Sequence, residues 1–440
     1  MKMTQQLVRG LTLRDAIAIV VGTIIGTGIF LKTGTMATYL HNPYWILLAW
    51  VVGGCLSFMG ALTYAKLGTL FPKTGGEYAY LKVGYGPIPA FLFGWTRFWI
   101  GAPGSIAAYA VGSTTFLHID QHFSLVFIIF FTILNCAKVS FAGKIQSFMT
   151  GLKLFMMIGI ALGIFFFSKE ASFSHLHFVA TTENSSFTFS AFGLALLSSL
   201  WAYDGWNNLS MMGGEIEKGE RNISLSLIIG MMIVLFIYAG VNLAYFYALP
   251  FEEILSSNSK LNPQALPVAT KAAMTFLGEQ GLTVLSLAFV FSALGAMNGS
   301  ILTGARVPYA MAEDGFFFKS LSQIKKDSGV PVYAVLVQGI LACLLALSGT
   351  FDQLTDSVIF SAWIFYGLTA SLAFKYTRNG QIKREGYWKW AYPFLPVSFV
   401  LISSWLLVNT IMKHTQASLM GMLLIALGLP FFYYFSTRNK

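Results

Sequence analysis

The stretch Gly22-Thr23-Ile24-Ile25-Gly26-Thr27-Gly28 lies inside an apolar run that extends from Leu13 to Leu40. A glycine costs a helix about 1 kcal/mol relative to alanine, and this heptad has three of them. Its flanks are apolar enough for hydrocarbon, where an opened backbone finds no water to bond. A break here must therefore line a cavity or meet a ligand. The half-helix that restarts at Gly28 presents free amides and a positive dipole end, which suits a carboxylate. Carbonyls at the end of the preceding half-helix, near Ile24, suit an ammonium group. Close helix packing at Gly22, Gly26 and Gly28 is the other reading of the same residues.

Working outward, apolar runs recur at roughly 13–40, 43–71, 88–117, 123–139, 144–168, 187–214, 222–249, 281–313, 331–349, 354–377, 387–411 and 416–436. Most approach the roughly 20 residues a spanning helix needs. The sixth is interrupted at Ala202-Tyr203-Asp204-Gly205-Trp206-Asn207-Asn208. The first and sixth spans enter from opposite sides, and paired interruptions at matching places in two inverted halves point to a transport site. We therefore expect an all-α polytopic membrane protein of twelve transmembrane helices, residues 1–440 forming one domain. Two inverted five-helix repeats, 13–168 and 187–377, contain the broken helices 1 and 6, and 387–436 adds two helices. The run from Leu13 has no small-residue cleavage site after it, so it reads as a retained span rather than a signal peptide.

Composition agrees. The 440 residues are 56% hydrophobic and 10% charged, against about 25% charged in ordinary soluble domains. The net charge of +10 invites a nucleic-acid reading, but its distribution argues otherwise. With cytoplasmic termini, 21 of the 28 basic residues fall on the inner face, five on the outer, and Arg97 and Lys153 within spans. The positive-inside rule accounts for that asymmetry. A cytoplasmic-membrane location with both termini inside is the expectation, and no nucleic-acid partner. Cys55, Cys136 and Cys343 fall in spans and read as small buried hydrophobes. The six histidines fall in external loops or at span ends, and the pair His118 and His122 lacks further ligands. No metal site and no cofactor are expected.

The deep polar residues carry the remaining chemistry. Asp204 sits in the second break, where a charge normally faces a cavity or a partner; it suits either a cationic substrate side chain or a bond to the unwound backbone. Asn207 and Asn208 could hold the break or reach the substrate. Trp201 is placed to cap the site as an aromatic gate, whereas Trp206 reads as core packing. Lys153 follows Lys144 by nine residues, about 13 Å along a helix and near the midplane. A fixed ammonium there could bond the carbonyls of the broken first helix, where a sodium ion would otherwise sit; packing or snorkelling is its other reading. Ser292, Ala293, Gly295, Asn298 and Gly299 could line the pathway, and Tyr238, Trp363 and Tyr366 could face it. The charged end of that eighth span, Arg306 through Asp314, reads as a solvated terminus more than as a gate network.

Four motifs together resemble the amino acid–polyamine–organocation superfamily. They are Gly22 through Phe30, Phe71-Pro72-Lys73-Thr74-Gly75-Gly76-Glu77-Tyr78, Leu200 through Asn207, and Gly214-Glu215-Ile216-Glu217-Lys218-Gly219-Glu220-Arg221-Asn222-Ile223. More narrowly they resemble the L-type amino acid transporters, including bacterial serine/threonine and alanine/serine/cysteine exchangers. The resemblance implies sodium-independent exchange of L-amino acids by alternating access. It implies that Ile24, Gly26, Thr27 and Gly28 bind the substrate's amino and carboxyl groups. Trp201, Ala202 and Tyr203 match the second half of that site, and Lys153 matches the fifth-helix lysine of sodium-independent members. The Trp201–Asn207 segment is most similar to the animal light subunit that accepts cationic and neutral amino acids; many neutral-selective relatives have glycine in place of Asp204. The His118–His122 loop lacks the cysteine that joins animal light subunits to a heavy chain, so no disulfide-linked heavy subunit is expected. The implied partners are L-amino acid substrates and the lipid bilayer. A proton-coupled amino acid or polyamine symporter, with Asp204 or Glu215 titrating, is the alternative. A non-transporting amino acid sensor is another, and no nucleophile–base set suggests an enzyme.

Overall fold

The structure, a computed structural model, describes residues 7–176, 187–259, 261–262, 264–348, 351–413 and 415–438, with 351–361, 413, 416 and 417 described by backbone alone. The predicted positions His177, Lys260 and His414 lie outside the described residues. Apart from two isolated bridges, Leu11 with Ile216 and Thr74 with Met212, the described residues form helices, turns and loops.

In chain order the α-helices are α1 (Leu13–Ile24), α2 (Gly28–Leu40), α3 (Pro43–Leu70), α4 (Glu77–Tyr85), α5 (Pro87–Thr96), α6 (Ala102–Phe116) and α7 (Phe123–Asn135). Then come α8 (Val139–Phe167), α9 (Phe189–Tyr203), α10 (Gly219–Ala248), α11 (Phe251–Leu255), α12 (Val268–Leu277) and α13 (Gln280–Gly304). The chain closes with α14 (Arg306–Glu313), α15 (Val332–Ser348), α16 (Phe351–Arg378), α17 (Trp388–Ala391), α18 (Phe394–Lys413) and α19 (Thr415–Arg438). A π-helical turn, Arg97–Gly101, joins α5 to α6. The short helix expected near Pro267–Leu277 is α12.

Local chemistry sets the helix starts. Thr12 and Asp15 form a reciprocal capping box before α1, which satisfies amides that an α-helix cannot bond itself. Asn42 caps α3 by accepting from the Tyr44 amide at 2.9 Å, and Pro43 follows at the first helical position, where a missing N–H costs nothing.

Among the described residues, seven helical stretches are long and apolar enough to cross a membrane: Leu13–Leu40 across its break, Pro43–Leu70, Val139–Phe167, Gly219–Ala248, Gln280–Glu313, Phe394–Met412 and Ser418–Arg438. Shorter apolar helices include α7, α9 and α15. This is a multi-pass membrane protein. Burial divides the spans into layers. In its most apolar window Leu13–Leu40 is 89% buried inside the protein and Gln280–Glu313 72%, against 22% for Ser418–Arg438. The broken first helix is therefore central and α19 peripheral. Phe148, Phe155, Phe166 and Phe236 project apolar rings outward, as a lipid-facing surface allows. Around the centre, α1 packs on α8, α10 and α13, α2 packs on α9, and α3 packs on both α9 and α10.

Candidate functional site

Both expected breaks are present. α1 ends at Ile24, residues 25–27 leave helical geometry, and α2 restarts at Gly28. The first-turn amides of α2 have no earlier carbonyl of their own helix to bond, and the Thr27 hydroxyl, fully buried, has no partner among the described residues. α9 ends at Tyr203, and the chain continues through turns and two short 3₁₀ segments, Asn208–Met211 and Gly213–Glu215.

The two breaks lie against each other. A Cβ on Gly28 would come within 2.6 Å of the Ala202 Cα, so only glycine permits this approach of α2 to α9. Gly205 has φ +103° and faces the Thr23 carbonyl, which a Cβ would meet at 2.8 Å. Position 205 thus needs glycine for both conformation and space. Thr23 Oγ1 lies 3.0 Å from the Gly205 carbonyl and 2.7 Å from that of Ile19, tying the end of α1 to the second break.

Other helices hold the loosened backbone. Lys153 Nζ, buried in α8, donates to the carbonyls of Gly22 at 2.9 Å, Ile25 at 2.6 Å and Ser292 at 2.9 Å. Ser292 Oγ donates to Gly26 O at 2.9 Å. Tyr238 Oη, from α10, lies 3.2 Å from Ile24 O and 3.0 Å from Ala202 O, spanning both breaks. Every carbonyl freed in hydrocarbon needs such a donor. Ile25 O, by contrast with Ile24 O, also holds a short bond of 2.6 Å from Lys153, so Ile24, bonded by Tyr238 at 3.2 Å, keeps the most capacity to accept from something else.

Aromatic rings close the remaining sides. Trp201 is buried with its ring centroid 6.4 Å from Tyr109, and Tyr109 in turn lies against Gly26. Trp206 packs among Tyr64, Tyr366 and Phe399. Tyr203 sits between Trp50, edge-on to it, and Tyr238, tilted against it.

Asp204 and Asn207 belong to a buried polar cluster that includes residues sequence reasoning passed over. Tyr366 Oη donates to Asp204 Oδ1 at 2.7 Å and lies 3.3 Å from Asn207 Oδ1. Asn207 Nδ2 donates to Glu77 Oε2 at 2.7 Å, and Tyr64 Oη donates to Glu77 Oε1 at 2.6 Å. Arg97 Nη2 donates to Asn208 Oδ1 at 2.6 Å. Glu77 stands within one of the quoted motifs, and its full burial is the missed signal. Nothing local names its partners, which lie 13 and 130 residues away.

One expectation needs correction. Arg306 is not at a solvated terminus: its guanidinium and the Glu215 carboxylate are both fully buried, joined by bonds of 2.7 and 2.8 Å. The Glu215 carbonyl also accepts the Gly10 and Leu11 amides at 3.1 and 3.2 Å. The pair links the segment after the second break to α14 and to the chain before α1. Burial of both charges is affordable because they are paired bidentately.

Two helix breaks facing each other at the centre of a multi-pass bundle, with donors from three other helices on their carbonyls, define a membrane transport protein rather than an enzyme. Among the described residues no group of three or more His, Cys, Asp or Glu is placed to hold a metal ion. The chain belongs to the amino acid permease family, whose model matches residues 11–429. It is 31% identical to the serine/threonine exchanger SteT of Bacillus subtilis (strain 168), over 96% of each chain. It is 30% identical to the b(0,+)-type amino acid transporter 1 of Mus musculus, over 98% of this chain and 89% of the other. Identity to the human cystine/glutamate transporter is 29%, over 99% and 87%.

Proposed function

We propose that this protein is an L-amino acid exchanger that works by alternating access without sodium, in a cytoplasmic membrane, with both termini inside. Its architecture on this reading is twelve spans, with inverted repeats at 13–168 and 187–377 and two further spans at 387–436. The contacts support the repeat, since α1 on α10 and α9 on α3 exchange when the halves are exchanged. The amides at Thr27 and Gly28 take the substrate carboxylate, and the Ile24 carbonyl takes its ammonium group. Gly26 gives the backbone room, Ala202 and Tyr203 form the opposite wall, and Trp201 gates it. Asp204 and Asn207 border the side-chain space.

The observation that carries this reading is the Lys153 ammonium, held by three carbonyls from α1, its break and α13. Three carbonyl acceptors around one nitrogen are satisfied by the three donors of an ammonium, and a positive charge held there does the electrostatic work of a bound cation, so the site has no need of sodium. The serine/threonine exchanger supports exchange as the mode and amino acids with neutral side chains as substrates, and the b(0,+)-type amino acid transporter supports amino acids as the substrate class. Gradients of the exchanged substrates then supply the driving force, since a site with equal affinity on both faces drives nothing.

The test is radiolabelled amino acid uptake into proteoliposomes without sodium. Uptake confined to vesicles preloaded with an amino acid supports exchange. Asp204 stands in the second break with no cation bonded to it among the described residues, so a proton could serve as its counter-charge, and proton-coupled symport is the second reading. Equal uptake into empty vesicles, rising with an inward proton gradient, would select it.

A further inference from the structure

Arg97 is a guanidinium within the bundle that the proposed transport cycle leaves unused. Charges so deep are costly and usually functional. It opens the π-helical turn Arg97–Gly101, a distortion common at functional positions. The side chain is 93% buried, and its Nε has no partner among the described residues. Its Nη2 bonds a neutral amide, Asn208 Oδ1.

Beside it is a cavity of about 20 Å³ between Thr96 and Gly101 on one side and Ala362, Phe365 and Tyr366 of α16 on the other. That volume holds one water-sized occupant. Tyr366, on the cavity wall, bonds Asp204, so Arg97 and Asp204 flank one tyrosine. Asp204 is bonded by the Tyr366 hydroxyl and the Gly205 amide, both neutral, and feels the charge of Arg97 through space.

Tyr109, which touches Gly26 and Trp201, is acted on by Asp204 and Arg97. Glu77, bonded by Tyr64 and Asn207, is a second carboxylate of the same cluster, and it acts on Tyr366, Asp204 and Arg97 as well. Of the two carboxylates, Asp204 is the one that stands in the second break itself, and Arg97 is the cation that shares Tyr366 with it.

We propose that Arg97 is a built-in cation that occupies the role of a cationic substrate side chain, cancelling Asp204 so that the site selects amino acids with neutral side chains over arginine and lysine. This rests on the exchanger reading above and specifies its substrate class. The site resembles one for cationic amino acids at Asp204, yet carries its own counter-charge a few residues into the third span. Removing Arg97 leaves Asp204 unbalanced beside an enlarged cavity, and a substrate ammonium or guanidinium can then fill it. Removing the charge of Asp204 leaves Arg97 unbalanced, and a side-chain carboxylate becomes the favoured occupant.

The experiment uses the full chain in proteoliposomes preloaded with serine, alanine or leucine, measuring exchange of the same labelled amino acid against arginine, lysine and glutamate as competitors. The unaltered protein should exchange at least one neutral amino acid and resist all three competitors. In Arg97→Ala, arginine and lysine should compete at concentrations lower by about tenfold or more, the order produced by removing a nearby unit charge at an effective dielectric constant of about 20. Arg97→Lys, which keeps the charge, should keep the exclusion, whereas a merely structural arginine would not be rescued in substrate profile. Asp204→Asn should admit glutamate, and this arm decides the matter if Arg97→Ala fails to fold. Neutral exchange with arginine or lysine competing equally well in the unaltered protein overturns the role of Arg97 and leaves the exchanger reading intact. An unchanged profile in Arg97→Ala, or in Asp204→Asn where the former does not fold, also overturns it. No exchange of any amino acid overturns both.

Discussion

Replacing Lys153 with alanine separates holding the broken helix from holding the substrate. The change removes three charge-assisted hydrogen bonds, to the carbonyls of Gly22, Ile25 and Ser292. Bonds to charged groups contribute about 1.5–3 kcal/mol each, so together about 4.5–9 kcal/mol. Against this stands the insertion cost of the ammonium, about 2.5–3.5 kcal/mol at mid-membrane. The difference spans about 1–6.5 kcal/mol, and a value near 3 kcal/mol changes a population or a rate about 100-fold. Ser292 Oγ still bonds the Gly26 carbonyl, and the amides of Thr27 and Gly28 do not depend on the lysine. Exchange in proteoliposomes should therefore slow by about 10- to 100-fold while the dissociation constant, followed by titration calorimetry, rises less than about tenfold. An exchange rate within about twofold of the unaltered protein would refute the anchoring role. A dissociation constant that rises as far as the rate falls would place Lys153 in substrate binding instead.

The other predictions concern the two breaks and the charge pair beneath them. Gly28→Ala puts a methyl 2.6 Å from the Ala202 Cα; such overpacking costs about 1–3 kcal/mol, and exchange should fall about tenfold or more in protein that still runs as a single species on size exclusion. Normal exchange would mean the breaks need not approach there. Trp201→Ala should impair exchange by about tenfold, the order of a buried aromatic that closes a site, and full activity would remove Trp201 from the gate. Arg306→Ala leaves the Glu215 carboxylate buried without its partner, a loss of about 3–5 kcal/mol that should appear as a lowered melting temperature in detergent. Replacing both Arg306 and Glu215 with leucine should restore most of that stability, and a double variant as unstable as the single one would show that the pair's contribution is not charge compensation.

Much of this protein was legible in one dimension because a bilayer is an unforgiving solvent. Backbone cannot be left unsatisfied in hydrocarbon, so Gly22–Gly28 and Ala202–Asn208 stand out as interruptions even without coordinates. A charge at mid-membrane cannot be incidental, so Lys153 drew attention by its distance from Lys144. Basic residues sort by face in such proteins, and that asymmetry is the ground on which both termini are proposed to lie inside. None of these inferences needs to know which helix touches which.

What required the tertiary structure were the partners. Arg306 has the same local sequence whether it ends in water or against a carboxylate 91 residues away, and only packing showed that it is buried with Glu215. Glu77 lies in a quoted motif, but its donors Tyr64 and Asn207 stand 13 and 130 residues away in the chain. Arg97 was visible as an intramembrane charge, yet its place beside Tyr366, which bonds Asp204, is set by the packing of the π-helical turn on α16. The physical reason is that a helix period or a break is a property of neighbouring residues, whereas the compensation of a buried charge depends on whatever the fold brings within a few ångströms of it.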